Sequence, residues 1–270
     1  MCVTGANRGI GYEIARGLAT ADRDGVVILA CRNPEQGMRA QRDLCSEGLS
    51  NVEFLQLDLG SSDSISAFVE SVNSKYGKLD LLCNNGAIAF KNSDPTPFAQ
   101  QAAPTFAINY FGTVSLTLKL LPLLRLASEP RIVNIASMAG HLRILKGKPD
   151  LVKQLTEGEG LSIPDIEALV AAPFIQAVQQ GVHAKHGWPA TCYGMSKLCV
   201  IAFTKALALA EPGIAVNACC PGWCATDMSS MSGPKTAAQG AATPVLLLTA
   251  PSLKPPRTGE FWQDEHPVEW

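Results

Sequence analysis

Five short strand-like runs, Val26 to Ala30, Val52 to Leu57, Leu79 to Cys83, Arg131 to Ala136 and Ile214 to Cys219, recur along the chain between turn-forming residues. Each is apolar on both faces, the pattern of strands buried on both sides of a sheet. The stretches between them are amphipathic and open with helix-start signals: Asn33-Pro34-Glu35, Ser61-Ser62-Asp63, and Pro104 near the beginning of a longer helix to about Leu126. Strand and helix alternating at this spacing predict an α/β fold, a doubly wound parallel sheet with helices on both faces. The first strand is short, because Met1-Cys2-Val3-Thr4 runs at once into a glycine-rich turn.

The alternation breaks once. From about residue 138 to 190 the chain has helical patterns of its own: Pro149 to Glu157, Ser162 to Ala171 and Pro173 to Gln180. Ser162 with Asp165 forms a capping-box-like start, and Ile163, Ile166, Leu169 and Val170 fall on one helical face. A structureless loop of this length is improbable in a compact domain, so the segment is read as a helical insertion. The 270 residues then make one domain, 1–270, carrying that insertion at about 138–190.

Charge narrows the partners. Twenty-four acids and 22 bases leave a net charge of −2, which disfavours nucleic acid and polybasic membrane anchoring. No apolar run approaches the roughly 20 residues that span a bilayer, and the N-terminus lacks signal-peptide features. Nine cysteines without a Cys-x-x-Cys pair argue against a disulfide framework or a zinc site and suit a reducing compartment. The four histidines show no ligand spacing, so no metal is expected. A cytoplasmic location follows as the expectation.

Thr4-Gly5-Ala6-Asn7-Arg8-Gly9-Ile10-Gly11 links the first strand to a helix. Such glycines serve a plain tight turn, or they bring backbone N–H groups and a helix N-terminus against a pyrophosphate. The second strand ends about twenty residues later, where the ribose of a dinucleotide would lie. An NAD site would place an acid there; this chain has Ala30-Cys31-Arg32. Arg32, with Arg8 in the glycine turn, suits a 2′-phosphate and points to NADP.

Tyr193 and Lys197 are four residues apart on one helix face. A phenol titrating near pH 10 is a poor proton donor or acceptor at neutral pH unless a cation favours the phenolate, and Lys197 supplies one. Tyr and Lys at helical spacing are mostly structural in isolation. Their combination with the glycine turn gives them weight.

Thr4-Gly5-x-x-x-Gly9-x-Gly11, Asn84-Asn85-Gly86-Ala87, Asn109, Ser137, Tyr193-x-x-x-Lys197 and Pro221-Gly222 stand in the order and spacing of the short-chain dehydrogenase/reductase superfamily, which the chain resembles throughout its length. Asp94-Pro95-Thr96-Pro97-Phe98, Gly181-Val182-His183, Gly187-Trp188-Pro189, Thr226-Asp227-Met228 and the insertion before Tyr193 resemble its monomeric carbonyl reductase group. The resemblance implies a Rossmann-like sheet, NADPH/NADP as cofactor and a monomer, the insertion covering a surface that relatives use for oligomer contacts. It implies Tyr193 as general acid, Lys197 lowering its pKa and binding the nicotinamide ribose, Ser137 holding the substrate oxygen and Asn109 anchoring a water relay. It places Gly5, Asn7, Arg8, Gly9, Ile10, Gly11 and Arg32 on the phosphates, with Asp58 and Leu59 beside the adenine. Asn85, Gly86 and Ala87 pass beneath the cofactor, and Pro221, Cys224, Ala225 and Thr226 close over the nicotinamide. Where the superfamily reads Asn-Asn-Ala-Gly, this chain has the glycine one position earlier.

The substrate pocket is expected from Phe90, Met138 and Trp223, with Ile88 and Trp188, and from Gln101 and Lys91 at its rim. Apolar walls with few polar fixtures suit bulky ketones, aldehydes and quinones. The expected activity is NADPH-dependent carbonyl reduction of such a small molecule. Two other readings stand beside it: a dehydrogenase dedicated to one steroid, prostaglandin or terpenoid alcohol, and a non-catalytic NADP-binding regulator.

Overall fold

The computed structural model describes residues 1–91, 93–157, 161–251 and 257–270. In chain order its elements are β1 (Cys2–Thr4), α1 (Gly9–Ala21), β2 (Val27–Cys31), α2 (Pro34–Ser46), β3 (Val52–Gln56), α3 (Ser62–Tyr76), β4 (Leu81–Asn84), α4 (Phe98–Phe106), a π-helical segment Ala107–Gly112, α5 (Thr113–Leu124) and β5 (Arg131–Ile135). Then come α6 (Pro149–Thr156), α7 (Ile163–Ile166), a second π-helical segment Glu167–Ala171, α8 (Ala172–Gln179), α9 (Cys192–Ala210), β6 (Ala215–Cys220), α10 (Ala237–Thr249), β7 (Phe261–Gln263) and β8 (His266–Val268). All eight strands form one sheet in the order β3-β2-β1-β4-β5-β6-β7-β8. Every pairing is parallel except β7 with β8. The reversal of strand order between β1 and β4 opens the crevice in which doubly wound folds place ligands.

Both faces are buried, as the two-sided strands require. Ile28, Ala30, Leu82, Ile132 and Val216 pack into the cluster beneath α3, α5 and α9. Val3, Leu29, Cys83, Val133 and Cys219 pack on the other side, against α1, α2 and α10. A chain of buried amides and hydroxyls crosses the first of these faces. Asn84 Nδ2 donates to Thr117 Oγ1 and to Asn134 Oδ1, and Asn134 Nδ2 donates to Thr204 Oγ1, each at 2.8 Å. Short as it is, β1 holds the centre, with Val3 opposite both Leu29 and Cys83.

The structure departs from the sequence reading in its helix boundaries, in one helical face and in one added hairpin. Pro104 lies inside α4, which begins at Phe98, and the long helix continues through the π-helical segment into α5. The inserted helices α7 and α8 form one run through their own π-helical segment, opened by the Ser162–Asp165 capping box. Leu169 on that run is exposed, whereas Ile166, Val170 and Phe174 are buried against α4 and α9. The hairpin β7–β8 is additional, turning on Asp264 and Glu265, both at positive φ.

Two helical runs, Phe98–Leu124 and Cys192–Ala210, are long and apolar enough to cross a membrane, contrary to the sequence expectation. Their most apolar windows are 61% and 78% buried within the fold, which accounts for the hydropathy by core packing.

Candidate active site

The glycine turn and the loop after β4 meet backbone to backbone. Gly5 sits at φ +66°, and a Cβ there would lie 2.9 Å from Gly86 Cα, so the left-handed conformation and the close approach both demand glycine. A Cβ on Gly11 would overlap the Asn85 amide and the Gly5 carbonyl. Thr4 Oγ1 joins the two segments, accepting from Asn85 N–H at 2.9 Å and Gly86 N–H at 2.8 Å. Gly86 has no positive φ, and Leu59 Cδ1 lies 3.0 Å from where its Cβ would stand.

Helix α1 begins at Gly9 from an extended Arg8, with no side-chain cap and no acid in its first turn. Its leading N–H groups thus face the glycine turn without a partner among the described residues, the donor set that suits a pyrophosphate. Asn7 is held by its amide to Gln36 Oε1 at 2.8 Å. Ile10 and Cys224 both approach Gly240, and Thr226 approaches Gly9, bringing the loop after β6 onto the start of α1. Ala225 N–H donates to the Lys235 carbonyl at 2.7 Å, and Cys224 Sγ donates to the Pro221 carbonyl at 3.4 Å. Arg8 pairs with Asp227 of the same loop at 3.0 Å, an ion pair that sequence reasoning missed although Asp227 lies in a motif it quoted. Arg32, one residue beyond β2, is exposed, and its guanidinium has no ion-pair partner among the described residues. Asp58 caps its own turn, accepting from Gly60 N–H at 2.9 Å.

The side chains predicted to react gather at the start of α9. Thr191 Oγ1 caps that helix by accepting from Gly194 N–H at 3.0 Å, setting Tyr193 and Lys197 one turn apart. The buried Lys197 ammonium donates to the Ile135 carbonyl at the end of β5, 2.6 Å away, and lies 5.7 Å from the Tyr193 ring centre. Ser137 follows β5 and starts the 3₁₀ turn Met138–Gly140, accepting from Ala139 N–H at 3.1 Å. That turn rests on α9 so closely that a Cβ on Gly140 would stand 2.5 Å from Leu198 N. On its other side the Trp270 indole donates to the Gly140 carbonyl at 3.0 Å, a brace 130 residues distant that no local pattern signals.

Burial sets the protonation of both groups. The Tyr193 phenol is pushed up to about 12, first by burial and then by Cys220, while a hydrogen bond with Ser137 acts the other way. Burial brings Lys197 down to about 8, with Cys219 and Cys220 opposing. The lysine's ammonium is committed to the Ile135 carbonyl, and desolvation disfavours the phenolate. The Tyr193 phenol thus keeps its proton at neutral pH. Burial also raises the thiols of Cys219 and Cys224, leaving them protonated.

Asn109 lies in the first π-helical segment, a widened turn of the kind found at functional sites. Its Oδ1 accepts from Ile88 N–H at 2.8 Å; its Nδ2 donates to the Ile88 carbonyl at 2.9 Å and to Ser196 Oγ at 3.0 Å. Asn109 therefore joins α9 to the loop that carries Asn85, Gly86 and Ala87.

The predicted substrate wall is only partly assembled. Met138 packs beside Ala136, Cys220 and Phe261. Phe90 is half-buried, and Gln101 spends its amide on the Thr96 carbonyl at 2.8 Å. Trp223 is 65% exposed in the loop after β6, where Met228 and Met231 are exposed as well. Trp188 belongs to the core instead, stacked edge-on to Phe174 at 5.8 Å beneath the insertion. Among the described residues no group of three His, Cys, Asp or Glu side chains is arranged to hold a metal. A cavity of about 510 Å³ lined by Leu155, Leu161, Ala202, Lys205 and Trp270 contains none of the predicted site residues.

The family described as short chain dehydrogenase matches residues 1–148 and 179–237, leaving out most of the inserted helices. The chain is 40% identical over 274 aligned residues to carbonyl reductase (NADPH) 1 of Mus musculus, covering 99% of this chain and 97% of that one. Among solved structures it is similar to salutaridine reductase from Papaver somniferum, with TM-score 0.88, 29% identity and coverage of 97% and 98%. It is also similar to menthone neomenthol reductase from Mentha piperita, with TM-score 0.82, 27% identity and coverage of 98% of each chain.

Proposed function

The chain belongs to the short-chain dehydrogenase family, and from that membership we propose an NADPH-dependent carbonyl reductase that converts apolar ketones, aldehydes or quinones to alcohols or hydroquinones. The observation that carries this reading is the convergence of Tyr193 and Lys197, one turn apart at the start of α9, with the turn that Ser137 opens after β5 packed against that helix, beside a glycine turn and an uncapped helix start. The open N–H groups of α1 with Gly5, Asn7, Gly9, Ile10 and Gly11 would hold the pyrophosphate, and Arg8 and Arg32 the 2′-phosphate. Leu59, Asn85, Gly86 and Ala87 would line the nucleotide, with Asp58 near the adenine, and Pro221, Cys224, Ala225 and Thr226 would cover the nicotinamide end.

NADPH held by these residues would supply the hydride that reduces the carbonyl carbon. The residues of this chain do the rest. Ser137 orients the carbonyl oxygen, and Tyr193 donates its proton to that oxygen as negative charge develops on it. Lys197, positively charged below about pH 8, stabilises the phenolate that remains and orients the ribose. Asn109 holds the Ile88 loop against α9 while the phenol is reprotonated through water. Phe90, Met138, Gln101 and Trp223 would contact the non-reacting part of the substrate.

The inserted helices bury Phe174 and Val170 against α4 and α9, which supports a monomer that sedimentation would test. We read residues 1–270 as one domain, and nine free thiols, eight of them buried, support a cytoplasmic setting. Similarity to salutaridine reductase and menthone neomenthol reductase favours a second reading, an enzyme dedicated to one terpenoid-type ketone and its alcohol.

The test is turnover of quinones, aromatic aldehydes and cyclic ketones with NADPH, alongside Tyr193→Phe. Broad turnover abolished by Tyr193→Phe is expected; turnover of a single terpenoid-like ketone selects the second reading. NADPH binding without turnover of any carbonyl would leave a cofactor-binding regulator in place of an enzyme.

A further inference from the structure

We propose that Ser196 is a positioning residue for Tyr193, locking the proton-donating turn of α9 to Asn109 and through it to the cofactor-side loop. The inference rests on the reductase reading above. Ser196 Oγ has one hydrogen and donates it to the Tyr193 carbonyl at 2.8 Å. Its lone pair accepts from Asn109 Nδ2 at 3.0 Å. Both side chains are buried, Ser196 at 0% and Asn109 at 1% exposure, so solvent cannot take the place of either partner.

The direction of each bond is determined. Ile88 N–H can only donate, and the atom of Asn109 facing it at 2.8 Å must be the oxygen; the nitrogen then faces the Ile88 carbonyl and Ser196. One hydrogen of the Asn109 amide goes to Ile88 and the other to Ser196. A hydroxyl is therefore required at 196, since it must accept from the amide and donate to the Tyr193 carbonyl at once. Two elements meet at this oxygen, the first turn of α9 and the π-helical segment 107–112, and Asn109 carries the link on to the loop after β4. Thr191 caps the same turn at Gly194, and Lys197 anchors it to Ile135, so Ser196 supplies the lateral link that the other two lack. A phenol that must meet a carbonyl oxygen within hydrogen-bond reach depends on that lateral placement.

Steady-state kinetics with NADPH and a quinone test the proposal. Ser196→Ala is expected to lower kcat about tenfold, with quinone KM and NADPH Kd within twofold of wild type. Asn109→Ala combined with Ser196→Ala is expected to be no slower than Asn109→Ala alone within twofold, because both break the same link. Unchanged kcat in Ser196→Ala, multiplicative losses in the double variant, or a parallel fall in kcat, affinity and melting temperature would each overturn it. If Ser196→Ala does not fold, Ser196→Cys, similar in size and a far weaker hydrogen-bond partner, takes the same measurements and the same criteria. Tyr193→Phe separates the two claims: full turnover by it removes the reductase mechanism itself, whereas an inactive Tyr193→Phe beside a wild-type-like Ser196→Ala removes only the role of Ser196.

Discussion

Asn109 and Ile88 hold each other twice, Ile88 N–H donating to Oδ1 at 2.8 Å and Nδ2 donating back to the Ile88 carbonyl at 2.9 Å. A side-chain amide here completes the hydrogen bonding of a loop residue that has no sheet partner. Asn109→Ala leaves both Ile88 groups short of a partner, and about 2–4 kcal/mol of stability should be lost. Urea unfolding checks this as a fall in midpoint at constant slope; a loss under about 1 kcal/mol would show that water replaces the amide without difficulty.

The pH dependence follows from the partly buried Tyr193 and the buried Lys197. Tyr193, near 12, keeps its proton through the neutral range, and Lys197 keeps its charge only below about 8. Carbonyl reduction should run level from about pH 6 to 7.5 and decline above about 8 as the ammonium is lost. A profile that stays flat to pH 10 would remove Lys197 from the reaction.

Stability carries the same signature with its own sign. The folded pKa of Lys197 lies below its ordinary 10.5, so between about 8 and 10.5 the unfolded chain binds more protons and this group's contribution to stability rises with pH. Below about pH 8 its burial opposes folding by a constant amount. Lys197→Met should therefore abolish reduction yet raise the melting temperature at pH 7, with a smaller gain at pH 10. An equal gain at both values would show that packing, and not charge, is responsible.

Arg32 extends from the end of β2 without an acidic partner among the described residues. Arg32→Asp should weaken NADPH by roughly 10- to 100-fold and leave NADH within about threefold, the size of one lost charge-assisted contact to phosphate. Fluorescence titration of both nucleotides decides it, and equal weakening of the two would take Arg32 away from the 2′-phosphate.

Tyr110 is fully buried in the π-helical segment, and its hydroxyl has no hydrogen-bond partner among the described residues. Its ring packs edge-on to Phe106 and Phe111. Tyr110→Phe keeps those ring contacts and removes the unpaired group, so stability should rise by about 1 kcal/mol. A decrease in thermal unfolding temperature would reveal an internal partner for the hydroxyl.

Much of this site was readable because its parts obey local rules. The glycine turn, the strand-end Arg32, the N-caps Asn33 and Ser61 and the Tyr193–Lys197 spacing each depend on residues within one or two turns of each other. What escaped depends on distance. Trp270 meets Gly140 only once the sheet has closed, and Asp227 meets Arg8 only because the loop after β6 folds over α1. The β7–β8 hairpin was hidden for a local reason, since its turn uses Asp264-Glu265 at positive φ in place of the Asn-Gly that usually marks such turns. Pro104 misled because proline is a start signal by habit, and here the helix had already begun at Phe98. The protonation of Tyr193 was beyond the motif, because spacing announces the nearby lysine but not the desolvation that disfavours the phenolate.

The buried amide chain from Thr117 through Asn84 and Asn134 to Thr204 joins residues 33, 50 and 70 positions apart. Asn84 meets Thr117 and Asn134 only once the crossover from β4 to β5 has been laid down, and Asn134 meets Thr204 only once α9 of the next crossover has packed behind β5. A collapsed chain with β4 and β5 slipped by a single residue would turn one of the two asparagines to the wrong face and strand its partner in an apolar interior. The chain thereby penalises its own near-misses: the same few polar atoms that add little net stability to the finished sheet make a misregistered one costly, and proofread the strand end from which Ser137 departs.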